Sequence, residues 1–455
     1  MKHITKYALI LTLMVMVHQT KSQDNKTSFS LQEAIDYSLK HSPNYLNAEL
    51  DLKSADYKRR EITGLGLPQI NGSIDLKDYL ELPTSLLPLQ AFDKTAPADA
   101  YQAVKFGTKY NSTAGLSFSQ LIFSSDYIFG LKASKEFMNL SKISVARSKA
   151  DLTSQVAKAY YMVLISKERI KLLTANISKL KKIFDDTKAL NEQGFAELID
   201  VERLEVQYNN LVTEKEKTVK LIGLTESALK FQMGYGINET IVLTDSLQIE
   251  KEQAELSSNN IDVTQRPDFK LLQAQQTLLD IDVKRLKWGY LPTLAAYGSY
   301  QYNTQRNSLT FSTDKNDPTK QKQWYKIALI GVTLNVNVFD GLQRHYKIQQ
   351  AKITSLKNQN TLKTIQMGAE LEASVAGISY NNAYSSMLSQ KRNMELADHV
   401  YETAQKKYQG GVGNNIEIIN AETSLKESQT NYLNAVYDMI IAKIDYQKAT
   451  GTLVK

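Results

Sequence analysis

Cysteine does not occur in this 455-residue chain, which excludes disulfides, thiolate metal sites, a cysteine nucleophile and a lipidated N-terminal cysteine. Histidine is nearly as scarce. His3 and His18 lie in the first 22 residues, and His41, His345 and His399 are too far apart in sequence to suggest a ligand cluster, so neither a metal nor a cofactor is expected. Proline is the third scarcity and the most informative. Pro68, Pro83, Pro88, Pro97, Pro292 and Pro318 crowd two regions, while 124–233 and 341–450 contain none. Because proline breaks helix interiors, those stretches are where long helices must lie. After residue 22 there is no uninterrupted run of the roughly 20 apolar residues that a spanning helix needs.

The chain begins MKHITKYALILTLMVMVHQTKSQ, with Lys2 and Lys6 ahead of an apolar run from Tyr7 to Val17, then the small residues Thr20 and Ser22. This reads as a secretory signal peptide over 1–22, too short in its apolar part to cross a bilayer as a helix. Removing it takes away Lys2, Lys6 and Lys21 but no acid, so the formal charge falls from +7 to +4. The remaining charges show no concentrated basic face, and no nucleic-acid partner is expected.

An internal repeat runs through the rest. AGLSFSQLIFSSD from Ala114 matches IGVTLNVNVFDGL from Ile330, pairing Gly115 with Gly331 and Phe123 with Phe339 at an offset of 216. NEQGFAELIDVE around Gly194 matches YQGGVGNNIEII around Gly411, and FQMG at Gly234 matches KATG at Gly451, both at 217. The reading is a tandem duplication: 1–22 signal peptide, 23–234 first repeat, 235–265 an equatorial linker, 266–455 second repeat.

Within each repeat the apolar spacing predicts an antiparallel coiled-coil pair. Leu152, Val156, Ala159, Val163, Ile170, Leu173, Ile177, Leu180 and Phe184 follow steps of three and four with one gap at Ser166, and Val201, Leu204, Tyr208, Leu211, Thr218, Ile222, Thr225 and Leu229 repeat the pattern on the return. Ile418, Ala421, Leu425, Tyr432, Ala435 and Met439 repeat the pattern in the second half. Helices from about Ser125 to Leu190 and from Gly341 to Tyr408 would each be roughly 100 Å long, which argues for a rod or tube and against a compact enzyme.

Four segments alternate like strands: 70–79, 115–123, 293–302 and 329–339. LIGVTLNVNVFDG is the cleanest, with Ile330, Val332, Leu334, Val336 and Val338 on one face and Gly331, Thr333, Asn335 and Asn337 on the other. Asp340 then stands as a helix N-cap. Such strands, flanked by Trp288, Tyr290, Trp324 and Tyr325, suit an outer-membrane barrel. Four strands cannot close one, and open edges cannot sit in lipid. Three chains would give twelve strands and leave a channel, so a homotrimer is expected. The fold class is a mixed α and β membrane protein.

The SLQEAIDYSLKHSPNY opening from Ser30, the paired Leu-Pro and strand units, the VFDG junction at Val338 and the two glycine turns at Gly194 and Gly411 together resemble the TolC-type outer membrane efflux channel family. The resemblance implies a trimeric twelve-stranded barrel in the outer membrane of a Gram-negative bacterium, continuous with a helical tunnel across the periplasm. It implies a passive conduit in tripartite efflux or type I secretion, partnered by a periplasmic adaptor and an inner-membrane transporter, and no enzymatic activity. By spacing from the turn glycines, Asp200 and Glu417 correspond to each other, and Glu417 stands where the family places a pore-facing carboxylate. Asn420 falls where a second acidic position is expected, and Gly413 where the family has an arginine partnering Tyr408. The entrance constriction is thus assigned to Asp200, Glu417, Asn420 and Tyr408, and the adaptor-docking tips to Gly194, Phe195, Gly411 and Val412. A soluble periplasmic coiled-coil adaptor or spacer is the alternative that long antiparallel helices leave open.

Overall fold

The computed structural model describes residues 27–247, 262–310, 312–316, 318, 320 and 323–454. The expected signal peptide and most of the 248–265 part of the linker lie outside them. Eight strands and seven α-helices follow in order: β1 (Ser28–Phe29), α1 (Leu31–His41), α2 (Pro43–Gly64), β2 (Gln69–Asp78), β3 (Thr84–Pro88), β4 (Tyr101–Lys105), β5 (Tyr110–Phe123), α3 (Ser125–Glu192), α4 (Leu198–Met233), β6 (Val242–Leu243), α5 (Pro267–Trp288), β7 (Thr293–Arg306), β8 (Tyr325–Asn335), α6 (Gln343–Gln409) and α7 (Asn415–Ala449). The described residues pack into two compact units, one built of 27–48, 146–247, 262–266 and 367–454, the other of 49–145 and the described part of 267–366.

The second unit holds a four-stranded antiparallel sheet in the order β2-β5-β7-β8. Its register sorts the side chains by chemistry. One face aligns Ile70, Phe118, Gly298 and Ile330, and beside them Leu116, Ala296, Val332, Leu294 and Leu334. The opposite face aligns Asn71, Ser117 and Ser299 with Leu329 of β8, then Asp75, Thr113 and Asn303 with Tyr325, then Ala295 with Thr333 and Thr293 with Asn335. One face is mainly apolar and the other mainly polar, with Ile327 and Leu329 of β8 as apolar exceptions, which is the alternation of a barrel wall. Among the described residues the two end strands β2 and β8 have no neighbour on their outer edges, and almost every residue in them is exposed.

The strand expected to run on to Phe339 stops at Asn335. Its partner explains why: Asn335 faces Thr293, the first residue of β7, and Pro292 before it has no N–H to extend the ladder. The alternation of 336–339 therefore continues without a paired strand. Conversely, the loop after β2 contains a small hairpin, β3 with β4, that alternation did not reveal. The helices after β5 and β8 start differently. Ser124 caps α3, its Oγ accepting from the backbone N–H of Tyr127 at 3.4 Å, whereas Gly341 and Leu342, both at a φ of +64°, separate Asp340 from Gln343, the first residue of α6. The Asp340 carboxylate still accepts from the backbone N–H of Arg344 at 3.3 Å, but from outside the N-cap position expected for it.

The first unit is helical. Helices α3 and α6 have 68 and 67 residues, their return helices α4 and α7 have 36 and 35. The paired glycines of the repeat share backbone geometry: φ is +81° at Gly194 and +72° at Gly411, +69° at Gly234 and +74° at Gly451. All four end a helix in the left-handed conformation that glycine reaches without a Cβ penalty. The predicted apolar stripes are the core. Leu173, Leu180, Leu204, Leu211, Ile418, Ala421 and Leu425 pack with Tyr401 into one four-helix cluster near the turns. A second cluster joins Phe29, Leu152, Val156, Tyr160, Leu229 and Met233. Helix α1 starts with a capping box, Ser30 with Glu33, which is the physical content of the SLQE opening. Among the described residues no helix is long and apolar enough to cross a membrane.

Candidate entrance at the helical turns

Both turns close on glycine. A Cβ on Gly194 or Gly411 would meet nothing within 4 Å, so the positive φ, not crowding, selects glycine there. Beside them Phe195 is 79% and Val412 81% exposed, so each turn presents an apolar side chain to solvent. Between the first turns of α4 and α7 lies a groove of about 490 Å³, lined by Ile199, Val206, Ile416 and Ile419 with Glu202, Arg203 and Gln207.

The two turns are tied together. Asn415, 2% exposed, donates through Nδ2 to the backbone carbonyl of Asp200 at 2.8 Å and to its carboxylate at 3.2 Å. Arg203 Nη1 lies 3.7 Å from the same carboxylate. Glu417 is exposed and pairs with Lys407 Nζ at 3.2 Å. Each of the expected acidic positions therefore has a cation beside it, which spacing within one turn did not reveal. Asn420 is exposed.

Tyr408 is half-buried, and its hydroxyl shares a hydrogen bond of 2.8 Å with Thr187 Oγ1, joining α6 to α3. The glycine at 413 accounts for the missing arginine. A Cβ there would sit 2.7 Å from the backbone nitrogen of Tyr408, so the chain doubles back too tightly for any side chain. Sequence reasoning missed four groups here: Thr187, Asn415, Gln207 and Glu422. Glu422 is 2% exposed, and burial raises its pKa above the usual carboxylate range. It sits on the Ile418, Glu422, Leu425 stripe, where steps of four and three would have flagged it.

The comparisons decide what such an assembly is. Residues 263–452 match the family model described as outer membrane efflux protein. The outer membrane protein TolC of Vibrio cholerae is 22% identical over 352 residues, covering 75% of this chain and 77% of that protein. Over 263–452 the chain carries the match to the outer membrane efflux protein family, and its likeness to TolC extends over three quarters of its length. Members of this TolC-type family are outer membrane channels and not enzymes, so the reading as a soluble adaptor falls away. The outer-membrane channel OprN shares the fold with a TM-score of 0.71 at 14% identity, covering 92% of this chain and 89% of that one. The open state of the Neisseria gonorrhoeae MtrE outer membrane channel gives 0.70 at 15% identity, covering 93% and 89%. The likeness to the outer membrane TolC proteins places the protein in the outer membrane.

Proposed function

We propose that three copies of this chain close their sheets into one twelve-stranded barrel, β8 of each against β2 of the next, and form a passive conduit for small molecules or proteins in a tripartite efflux or type I secretion system. The observation that carries this reading is the sheet itself. One face is mainly apolar, the other mainly polar with Ile327 and Leu329 as exceptions, and among the described residues both edge strands are unpaired on their outer sides. Unpaired backbone groups cannot remain in lipid, whereas a closed ring of strands satisfies them all. Three four-stranded sheets leave a water-filled lumen walled by serine, threonine and asparagine.

In this reading the helices of the first unit line the periplasmic passage, and Asp200, Glu417, Asn420 and Tyr408 stand at its entrance. Gly194, Phe195, Gly411 and Val412 are the tips that meet a periplasmic adaptor, which in turn engages an inner-membrane transporter. The exposed Phe195 and Val412 and the groove floor of Ile199, Val206, Ile416 and Ile419 support that role, since solvent-exposed apolar surface of this kind marks interaction sites. The two repeats, 23–234 and 266–455, would alternate around the trimer as six quasi-equivalent units. The decisive experiment is the mass of the detergent-solubilised protein together with conductance in a planar bilayer. A trimer with a single open-channel conductance supports the proposal; a monomeric mass without conductance overturns it.

A further inference from the structure

We propose that Glu422 is a proton-operated latch between the return helices α4 and α7, holding their first turns together when protonated and releasing them when ionised. The carboxyl group lies inside the four-helix cluster near the turns, 2% exposed in the single chain, so its burial does not depend on a neighbouring copy. One oxygen, Oε2, accepts from the side-chain amide of Gln207 on α4, which joins the two return helices directly. The other, Oε1, is buried with no hydrogen-bond partner, and so is the hydroxyl of Tyr401 on α6. A carboxylate with one satisfied oxygen is costly in such a place, whereas the neutral acid loses much less.

The surrounding charges fall on every packed element. On α7, Lys426 favours ionisation, but it is drawn to Glu214 of α4 at 3.1 Å, and Glu214 itself opposes it. On α6, Asp398 adds to the negative side, and Tyr401 stays neutral because burial pushes it up to about 12. On α3, Lys179 is spent on Asp398 at 3.6 Å and on the Tyr401 ring, 5.5 Å from its centroid. Burial remains the dominant influence on Glu422, and it acts only while the helices are packed.

The direction of the linkage follows. The carboxyl has a higher pKa packed than unpacked, so its contribution to packing is complete at acidic pH and is lost as pH rises through the packed-state value. Each unit of difference between the two states changes the packing equilibrium tenfold. Gln207, the partner of Glu422 Oε2, also lines the groove between the first turns, which brings solvent to within one side chain of the carboxyl group. Acidification therefore tightens the turns and neutral or alkaline medium loosens them.

Hydrogen exchange of the full-length detergent-solubilised protein tests this without requiring that it be a channel. Corrected for intrinsic rates, protection of 198–211 and 415–426 should fall several-fold as pH rises, and E422Q should remove that step. Two neighbours should shift the step in opposite senses. Q207L removes a donor to the ionised form and moves it to higher pH, while E214Q removes a repelling charge and moves it to lower pH. A wild-type profile with no step, or a step that persists in E422Q, overturns the latch. Planar-bilayer conductance, measured in parallel, bears on the reading of these turns as a channel entrance, on which the functional meaning of the latch rests. Absence of any conductance would count against that reading while the exchange profile still decides the latch.

Discussion

At single residues the structure separates groups that sequence spacing ranked together. Asp200 and Glu417 occupy equivalent positions in the two turns, yet Asp200 is held by the buried Asn415 and Glu417 stands in solvent beside Lys407. Asn415→Ala would leave the Asp200 carbonyl without its buried donor, costing about 1–3 kcal/mol. Thermal unfolding of the purified protein should show the drop, with little change in Asn420→Ala at an exposed site. Gly411 makes a second case. A glutamate there is strained by roughly 1–2 kcal/mol at positive φ, but it meets no neighbour within 4 Å, so trimers should persist. Crosslinking to the adaptor should disappear, because the charge stands beside the exposed Val412; unchanged crosslinking would remove Gly411 from the docking surface. The turn glycines were legible because backbone geometry writes itself into residue type. Lys407, Thr187 and Gln207 were not, since each acts on a partner 10 to more than 200 residues away.

At the level of elements, period and partner divide what sequence alone reveals. The helices were readable to within a few residues because each satisfies its own backbone, and the stripe that makes it helical also buries it. Leu211 and Leu425 show this: both lie on predicted stripes, and both are at most 1% exposed. Truncating either to alanine should cost about 2–5 kcal/mol, read as a lower unfolding temperature with the sheet intact. Strand ends were less legible because a strand lasts only as long as its neighbour. Pro292 ends β7 and thereby ends β8 at Asn335, however cleanly 336–339 alternate. The same dependence gives Gly115 its meaning. A Cβ there would lie 2.4 Å from that of Gln301 and 2.7 Å from the Tyr300 carbonyl, so β5 and β7 approach too closely for a side chain. Gly115→Val should lower the yield of heat-resistant trimer on gels, while Gly223→Ala, at a helix position with open space, leaves it unchanged.

For the whole molecule, the proposed function rests on the two-faced sheet, and under that proposal the charge at the helical turns would set what passes. In the proposed barrel the lumenal face is nearly neutral, lined by Asn71, Ser117, Ser299, Thr113, Asn303 and Thr333 together with Ile327 and Leu329, with Asp75 and Lys77 adjacent on β2. A wall of that kind selects little by charge. In the proposed trimer selection would fall to the entrance, where three copies of Glu417 would favour cations if they stood alone. In each chain, however, Lys407 lies 3.2 Å from Glu417. Both members of the pair are about half exposed, so breaking it costs at most about 1 kcal/mol of stability. Its electrostatic effect on a threefold axis is larger, since charges are changed three at a time. Lys407→Gln should therefore shift the reversal potential in a salt gradient towards cation selectivity, Glu417→Gln towards anions, and the double variant back near the wild type. All three differences should shrink as salt rises, because screening at about 1 M reduces the reach of a charge to roughly 3 Å. Identical reversal potentials in all four proteins would place the pair away from the conducting path and move the selective constriction elsewhere on the helices.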